Sequence, residues 1–306
     1  MDTYNPDRIP SNEADVAPEK AEELNTMKER LIEAFGDPET KEKIEDDFAY
    51  TFKQLGLDDA AAQELCGEVI AALSGEGRLD SIEAKILERF NAIYIEDGEG
   101  KKKNLVDVLH EKLKGRAELI ASQVRPHFAG VKGKVFDYGT GDGQVAQRLH
   151  DDTELHLDVE GGDVRDYKAP GVTVPVKILD GTRVDAADGA YEAALMTNVA
   201  HHERNNGMIL EELSRITAKK LVVIETVPTG DNEEEIKKDA ERTFANDYLY
   251  NRLFHNADVP VPGTYETPSG WEERFKAHGW RVTKSEDLGY DQPTIRDIHH
   301  LFIFEK

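Results

Sequence analysis

The stretch that most constrains the fold is 134–143, KVFDYGTGDG, where a β-rich run of Val, Phe, Asp and Tyr leads directly into Gly139-x-Gly141-x-Gly143. Glycine admits positive φ and has no Cβ, so such a turn lets a ligand touch the backbone where a strand ends. Taken alone, the same glycines would also serve as a plain turn. The next residues, 144–150 (QVAQRLH), read as a helix, and strand, turn and helix in succession open an α/β sheet. The spacing narrows the ligand. A dinucleotide turn reads G-x-G-x-x-G, with its third glycine one position later than here, and a phosphate-cradling loop would continue into Lys-Ser/Thr, which is absent.

From Gly130 onward, short apolar runs alternate with helical stretches. Strands are expected at 134–138, 155–159, 174–178, 193–197, 221–226, 281–285 and 301–304, and helices at 144–150, 206–217, 233–253 and 269–278. This alternation predicts a largely parallel sheet, and the loop joining the last two runs predicts an antiparallel pair at one edge. Residues 1–17 show no periodicity and are expected to be a flexible N-terminus. Residues 18–129 read as an all-α domain with almost no strand signal. Its helices end at Gly36, near Gly56 and at Leu73; a fourth carries Asp80 and Glu83 at capping-box spacing, and the last runs over 104–128 behind Asn104. Residues 96–103 form a polar loop.

Composition limits the function. The 306 residues carry a net charge of −24, shared evenly by the two halves of the chain, and an acidic excess of this size repels phosphate backbones. Nucleic acid is an unlikely partner on that ground. With 39% hydrophobic residues the chain has enough apolar material for real cores. The single cysteine, Cys66, excludes an internal disulfide and a multi-cysteine metal site. No apolar run has membrane-spanning length and no basic, apolar leader opens the chain, so a soluble, cytoplasmic protein is expected.

The segment VFDYGTGDG resembles motif I of the class I S-adenosylmethionine-dependent methyltransferases, and further features follow in that family's order. The resemblance covers about 130–306 and implies a Rossmann-like, doubly wound, mostly parallel seven-stranded sheet with an antiparallel last strand. It implies S-adenosylmethionine as cofactor, held by Asp137, Gly139, Thr140, Gly141 and Gly143. Asp158, closing the second expected strand, matches the acid that accepts the ribose hydroxyls, with Glu160 as a rival. Asp180 and Gly181 fall where the family keeps a residue beside the adenine, and 188–202 (DGAYEAALMTNVAHH) is similar to the fourth-strand region, with Asn198 at its end. Two departures stand out: no glycine precedes strand five, and Glu192 replaces the more usual Asp.

The methyl acceptor is narrowed by elimination. Families that methylate nucleobase amines or glutamine carry [DN]-P-P-[FY] where this chain reads Thr197-Asn198-Val199-Ala200, and Cys66 lies outside the expected catalytic domain. What remains is a hydroxyl, amine or carbon of a small molecule. A transfer that needs a base would draw it from histidine, with His202 and His255 as candidates. His201, Tyr250 and Trp271 are expected at the substrate, the last two because the insertion at about 228–268 corresponds to a segment that walls the acceptor pocket in relatives. The histidine spacing defines no metal site. The N-terminal helices are read two ways, as a cap or homodimer interface and as a lid formed by 104–128. Two other functions stay open: a tRNA or protein methyltransferase docking through the helical domain, and a non-catalytic cofactor-binding protein.

Overall fold

The computed structural model describes residues 18–96, 100–204, 206–255, 259–292 and 294–306; the expected flexible N-terminus lies outside them. In chain order the first elements are α1 (Pro18–Gly36), α2 (Pro38–Gln54), α3 (Asp59–Ser74), α4 (Leu79–Ala92), β1 (Tyr94–Glu96), β2 (Lys102–Asn104), α5 (Leu105–Lys112) and α6 (Arg116–Val124). Next come β3 (Lys134–Tyr138), α7 (Gln144–His150), β4 (Asp158–Asp163), β5 (Val176–Ile178), β6 (Tyr191–Thr197), α8 (Asn206–Ile216) and β7 (Thr217–Val227). The chain ends with α9 (Glu233–Tyr248), α10 (Pro268–Ala277), β8 (Arg281–Gln292) and β9 (Ile295–Glu305).

The chain divides into two compact units, neither continuous in sequence. The first takes residues through Leu113 together with Pro228–Gly263 and Tyr290–Asp297. Its helices start where the sequence supplies caps: the Asp37 carboxylate accepts from the Thr40 amide before Pro38 opens α2, and Asp58 does the same for Ala61 in α3. The expected capping box of α4 is not formed. Arg78 occupies the N-cap position, Asp80 pairs with it from the first turn, and Glu83 is buried instead. The aromatic core includes Phe52, Phe90 and Phe254, with Phe90 and Phe254 stacked at 4.6 Å. A turn of π-helix, Leu249–Phe254, continues α9 and places Arg252 against Glu83 at 2.8 Å, both buried. The polar loop expected at 96–103 is in part the antiparallel pair β1–β2. The helix expected over 104–128 is broken: a 3₁₀ turn at Leu113–Gly115 separates α5 from α6, and a 3₁₀ segment at Arg125–Phe128, with Pro126 second in it, follows α6.

The second unit holds the sheet, in the order β5-β4-β3-β6-β7-β9-β8. Strands β3, β4, β5, β6 and β7 pair in parallel, and β9 runs antiparallel to β7, giving the Rossmann-like, doubly wound arrangement. One face of the sheet packs Phe136, Tyr138 and Met196 against Leu210 and Leu213 of α8 and Trp271 and Phe275 of α10. The other packs Val135, Val159 and Leu195 against Val124 of α6 and Ala146 and Leu149 of α7. Strand order reverses between β3 and β6, where open α/β sheets bind ligands beyond the carboxyl ends of their strands. Among the described residues no helix is long and apolar enough to cross a membrane.

The last two strands are longer than expected, at Arg281–Gln292 and Ile295–Glu305, and two others differ in ways that shape the sheet. Strand β4 lies later than 155–159, at Asp158–Asp163, and runs through Gly161 and Gly162. Glycine is disfavoured in strands, but a Cβ on Gly161 would meet the Thr140 side chain at 2.8 Å and one on Gly162 would collide with the Phe136 ring. Strand β7 starts at Thr217 directly after α8, which is how the chain dispenses with a glycine there, and its pairing with β6 shifts register between Tyr191 and Ala193.

Candidate functional site

The glycine turn sits at the carboxyl end of β3 and is folded against the end of β4. The amides of Gly139 and Thr140 both donate to the Gly162 carbonyl, at 2.8 and 3.0 Å, and the Gly141 amide donates to Asp163 Oδ2 at 2.8 Å. Gly139 has φ +70°, and a Cβ there would collide with the Val199 side chain from the turn after β6. Gly141, at φ +55°, is the opposite case: nothing lies within 4 Å of where its Cβ would be, so a ligand can lie on the backbone at this point.

Three carboxylates surround the turn. Asp137 is buried, its Oδ2 accepts from the Thr140 hydroxyl at 2.8 Å, and its Oδ1 has no hydrogen-bond partner among the described residues. Burial pushes its pKa up to about 7 against the Thr140 hydrogen bond, and repulsion from Asp163 and Asp142 adds to the rise. Asp163 is also raised by burial, which the amides of Gly141, Val164 and Arg165 oppose. The residue after it, Val164, is 55% exposed.

The remaining expected cofactor residues separate. Asp180 and Gly181 lie in the turn that follows β5, at the same sheet edge; the Leu179 amide donates to the Asp163 carbonyl at 2.8 Å, and the Tyr138 hydroxyl donates to the Thr182 carbonyl at 2.8 Å. Asp158 and Glu160 do not belong to this edge. Asp158 opens β4 opposite Lys134, the first residue of β3. Glu160 pairs in register with Phe136 and is occupied by Lys134 at 2.6 Å, the Tyr191 hydroxyl at 2.7 Å and Lys177 at 3.2 Å. Burial raises the Glu160 pKa, but these three partners outweigh it and bring it down to about 2. Because β4 extends to Asp163, the acid at its carboxyl end is Asp163, whereas Asp158 and Glu160 lie nearer the start of the strand. The signal for Asp163 was present as the first acid after the Gly161-Gly162 pair.

The turn after β6 is the second half of the site. Asn198 is left-handed at φ +54°, a backbone conformation unusual outside glycine. Its Nδ2 donates to His299 Nε2 at 3.0 Å and its Oδ1 accepts from the Thr226 hydroxyl at 3.3 Å, an orientation that requires His299 Nε2 to be unprotonated. Glu225 of β7, fully buried, holds the rest of the turn: Oε1 accepts from the amides of Val199 and Ala200 at 3.0 and 2.8 Å, and Oε2 accepts from His201 Nδ1 at 2.6 Å. His201 is buried, its ring stacked on Tyr265 at 5.2 Å; His202 is half-buried, its ring 4.2 Å from that of His201. Sequence reasoning missed Glu225 and Thr226 and did not place His299 beside Asn198. The first two follow the apolar run of the fifth expected strand, whereas His299 is placed by antiparallel register, opposite Thr226, which no local pattern shows.

Three candidates belong to other elements. Trp271, expected at the substrate, is a core residue, fully buried in the cluster with Phe275 and Phe304. Tyr250 and His255 belong to the helical unit. There the Tyr250 hydroxyl donates to the Thr294 carbonyl, burial raises its pKa well above the usual phenol value, and the His255 ring stacks on His110 at 5.2 Å.

No protein-family model matches the chain, and no curated protein matches it in sequence. Among solved structures it is similar to an S-adenosylmethionine-dependent methyltransferase from Mesorhizobium loti, at 14% identity over 63% of this chain and 100% of that one, with a TM-score of 0.45. It is similar to magnesium protoporphyrin IX methyltransferase (ChlM) from Synechocystis PCC 6803 with bound SAH, at 11% identity over 74% and 94% of the chains and a TM-score of 0.44. A third is the [4+2]-cyclase SpnF, at 12% identity over 74% and 92%, with a TM-score of 0.45. Several more of the matching structures are also S-adenosylmethionine-dependent methyltransferases. At these identities the likeness is one of fold.

Proposed function

We propose that this chain is an S-adenosylmethionine-dependent methyltransferase acting on a small molecule. The observation that carries the reading is the electrostatics of the glycine turn: an open backbone at Gly141 beside a buried carboxyl with one unpartnered oxygen, and a second acid at the end of β4. Three carboxylates at one turn repel a dinucleotide pyrophosphate and favour a nucleoside that carries positive charge.

S-adenosylmethionine, when bound, supplies a methyl group already activated on a sulfonium. The chain's residues bind and align. Asp163 accepts the two ribose hydroxyls, a vicinal diol being matched by the two oxygens of one carboxylate, while Val164 and the turn at Asp180 and Gly181 flank the base. Asp137 and the backbone from Gly139 to Gly143 take the amino-acid end. Asn198, fixed by Thr226 and by the His299 imidazole, stands beside the acceptor, and the His201–His202 turn supplies two further imidazoles. In-line transfer depends chiefly on this alignment, with a base needed only where the acceptor must lose a proton.

Isothermal titration with S-adenosylmethionine tests the reading. Binding is expected, weakened at least about tenfold by Asp163→Ala, since a hydrogen bond to a charged group is worth about 1.5–3 kcal/mol; Asp158→Ala should leave it unchanged. No binding at millimolar cofactor would remove the proposal.

A further inference from the structure

Among the described residues, the charged groups that act on Asp137, Asp163 and Asp142, are both of its own sign. The face of β3 that carries it is otherwise apolar: Val135 lies beside it, Leu195 of β6 and Gly161 of β4 pair with it in register, and Ala146 of α7 and Val124 of α6 cover that face. The turn contributes the Thr140 hydroxyl and the Asp142 carboxylate, and β4 contributes Asp163. Among the described residues no positive charge acts on this buried carboxyl, which has one oxygen unpartnered and two acidic neighbours. The missing charge is the ligand's.

We propose that Asp137 is the residue that selects the cofactor by charge, and that it gives up a proton to solvent when a cationic cofactor binds. This rests on the S-adenosylmethionine reading above. In the empty site the carboxyl shares its pocket with Asp142 and Asp163 and holds its proton near neutrality; the arrival of an ammonium and a sulfonium stabilises the carboxylate, and the proton leaves to buffer. Loss of the sulfonium charge in S-adenosylhomocysteine removes part of that stabilisation, so the ionised form of Asp137 distinguishes cofactor from spent product.

The test is calorimetric titration of the full chain with S-adenosylmethionine, and separately with S-adenosylhomocysteine, between about pH 6 and pH 9, in two buffers of different ionisation enthalpy. Near pH 7 the cofactor should release about half a proton, seen as a buffer-dependent heat, with release falling away toward pH 9. The ratio of the two dissociation constants should widen in favour of S-adenosylmethionine as pH rises through 7. Asp137→Asn, close to the protonated acid in shape, should abolish the release and flatten the ratio, which also subtracts any proton taken up by the cofactor's own amine. Binding with equal heats in both buffers overturns the proposal while leaving the cofactor assignment intact, as does proton release that persists in Asp137→Asn. No binding of either ligand overturns both.

Discussion

At the scale of the residue, the site depends on acids placed where solvation is poor. Asp137 is raised from an ordinary carboxyl value to about 7, so the folded protein keeps a proton that the unfolded chain loses near pH 4. Its effect on stability therefore has a definite sign: no penalty below about pH 4, a growing one as pH rises toward 7, and a full one above. Asp137→Asn does not titrate, so its stability relative to the parent, measured by urea unfolding without cofactor, should climb between about pH 4 and pH 7 by up to about 4 kcal/mol and then level off. A pH-independent difference would contradict this account. Asp137 and the glycines were legible in the sequence because strand, acid and turn are contiguous. The end of β4 was expected too early, at 159, because two glycines interrupt the strand, and their reason for being there, the Thr140 and Phe136 side chains opposite, lies on another part of the chain.

At the scale of the element, α9 and its π-helical extension are fixed by buried charge. Arg242 meets Asp47 and Asp239 at 2.6 Å each and Asp297 at 3.3 Å, and Asn246 bridges Asp47 and Asp297 at 2.8 and 3.0 Å. Burial lifts Asp297 to about 7 although Arg242 opposes it. Ten residues after Arg242, Arg252 donates from Nε and Nη2 to the Glu83 carboxylate, which also accepts from the Tyr248 hydroxyl at 2.6 Å. Removing one member of such a pair leaves a buried charge alone, so Glu83→Ala is expected to cost about 3–5 kcal/mol in equilibrium unfolding, whereas Glu83→Gln with Arg252→Met should recover most of the loss. A Glu83→Ala loss under about 1 kcal/mol would show that the pair does not hold the element. The helix itself was expected over 233–253, and in the structure Asn232 caps it. Its place was not legible, because Arg242 and Glu83 read as surface charge to any local rule.

At the scale of the whole molecule, each unit is assembled from separated stretches of chain. The sequence reading treated 228–268 as part of the α/β domain because it falls between two of that domain's elements; the contacts of α9 are with α1 and α2, and those of the π-helical turn with α4. A fragment beginning at Lys114 would therefore carry α9 without the helices that bury Phe244, Tyr248, Leu249 and Phe254. Such a fragment is expected to bind a hydrophobic dye and to aggregate, and a version with 228–263 replaced by a short polar linker should do neither. Equal behaviour of the two fragments would contradict the division.

The same discontinuity sets a clock on the growing chain. Residues through Leu113 leave the ribosome well before Pro228 does, and at about 5–20 residues per second the interval is roughly 6–23 s. For that time α2 and α4 present to the cell the surfaces that α9 and the π-helical turn will cover. Their stripes are interrupted by Asp47 and Glu83, whose partners Arg242 and Arg252 are made later, and charge within an apolar stripe keeps a waiting face from sticking to its neighbours.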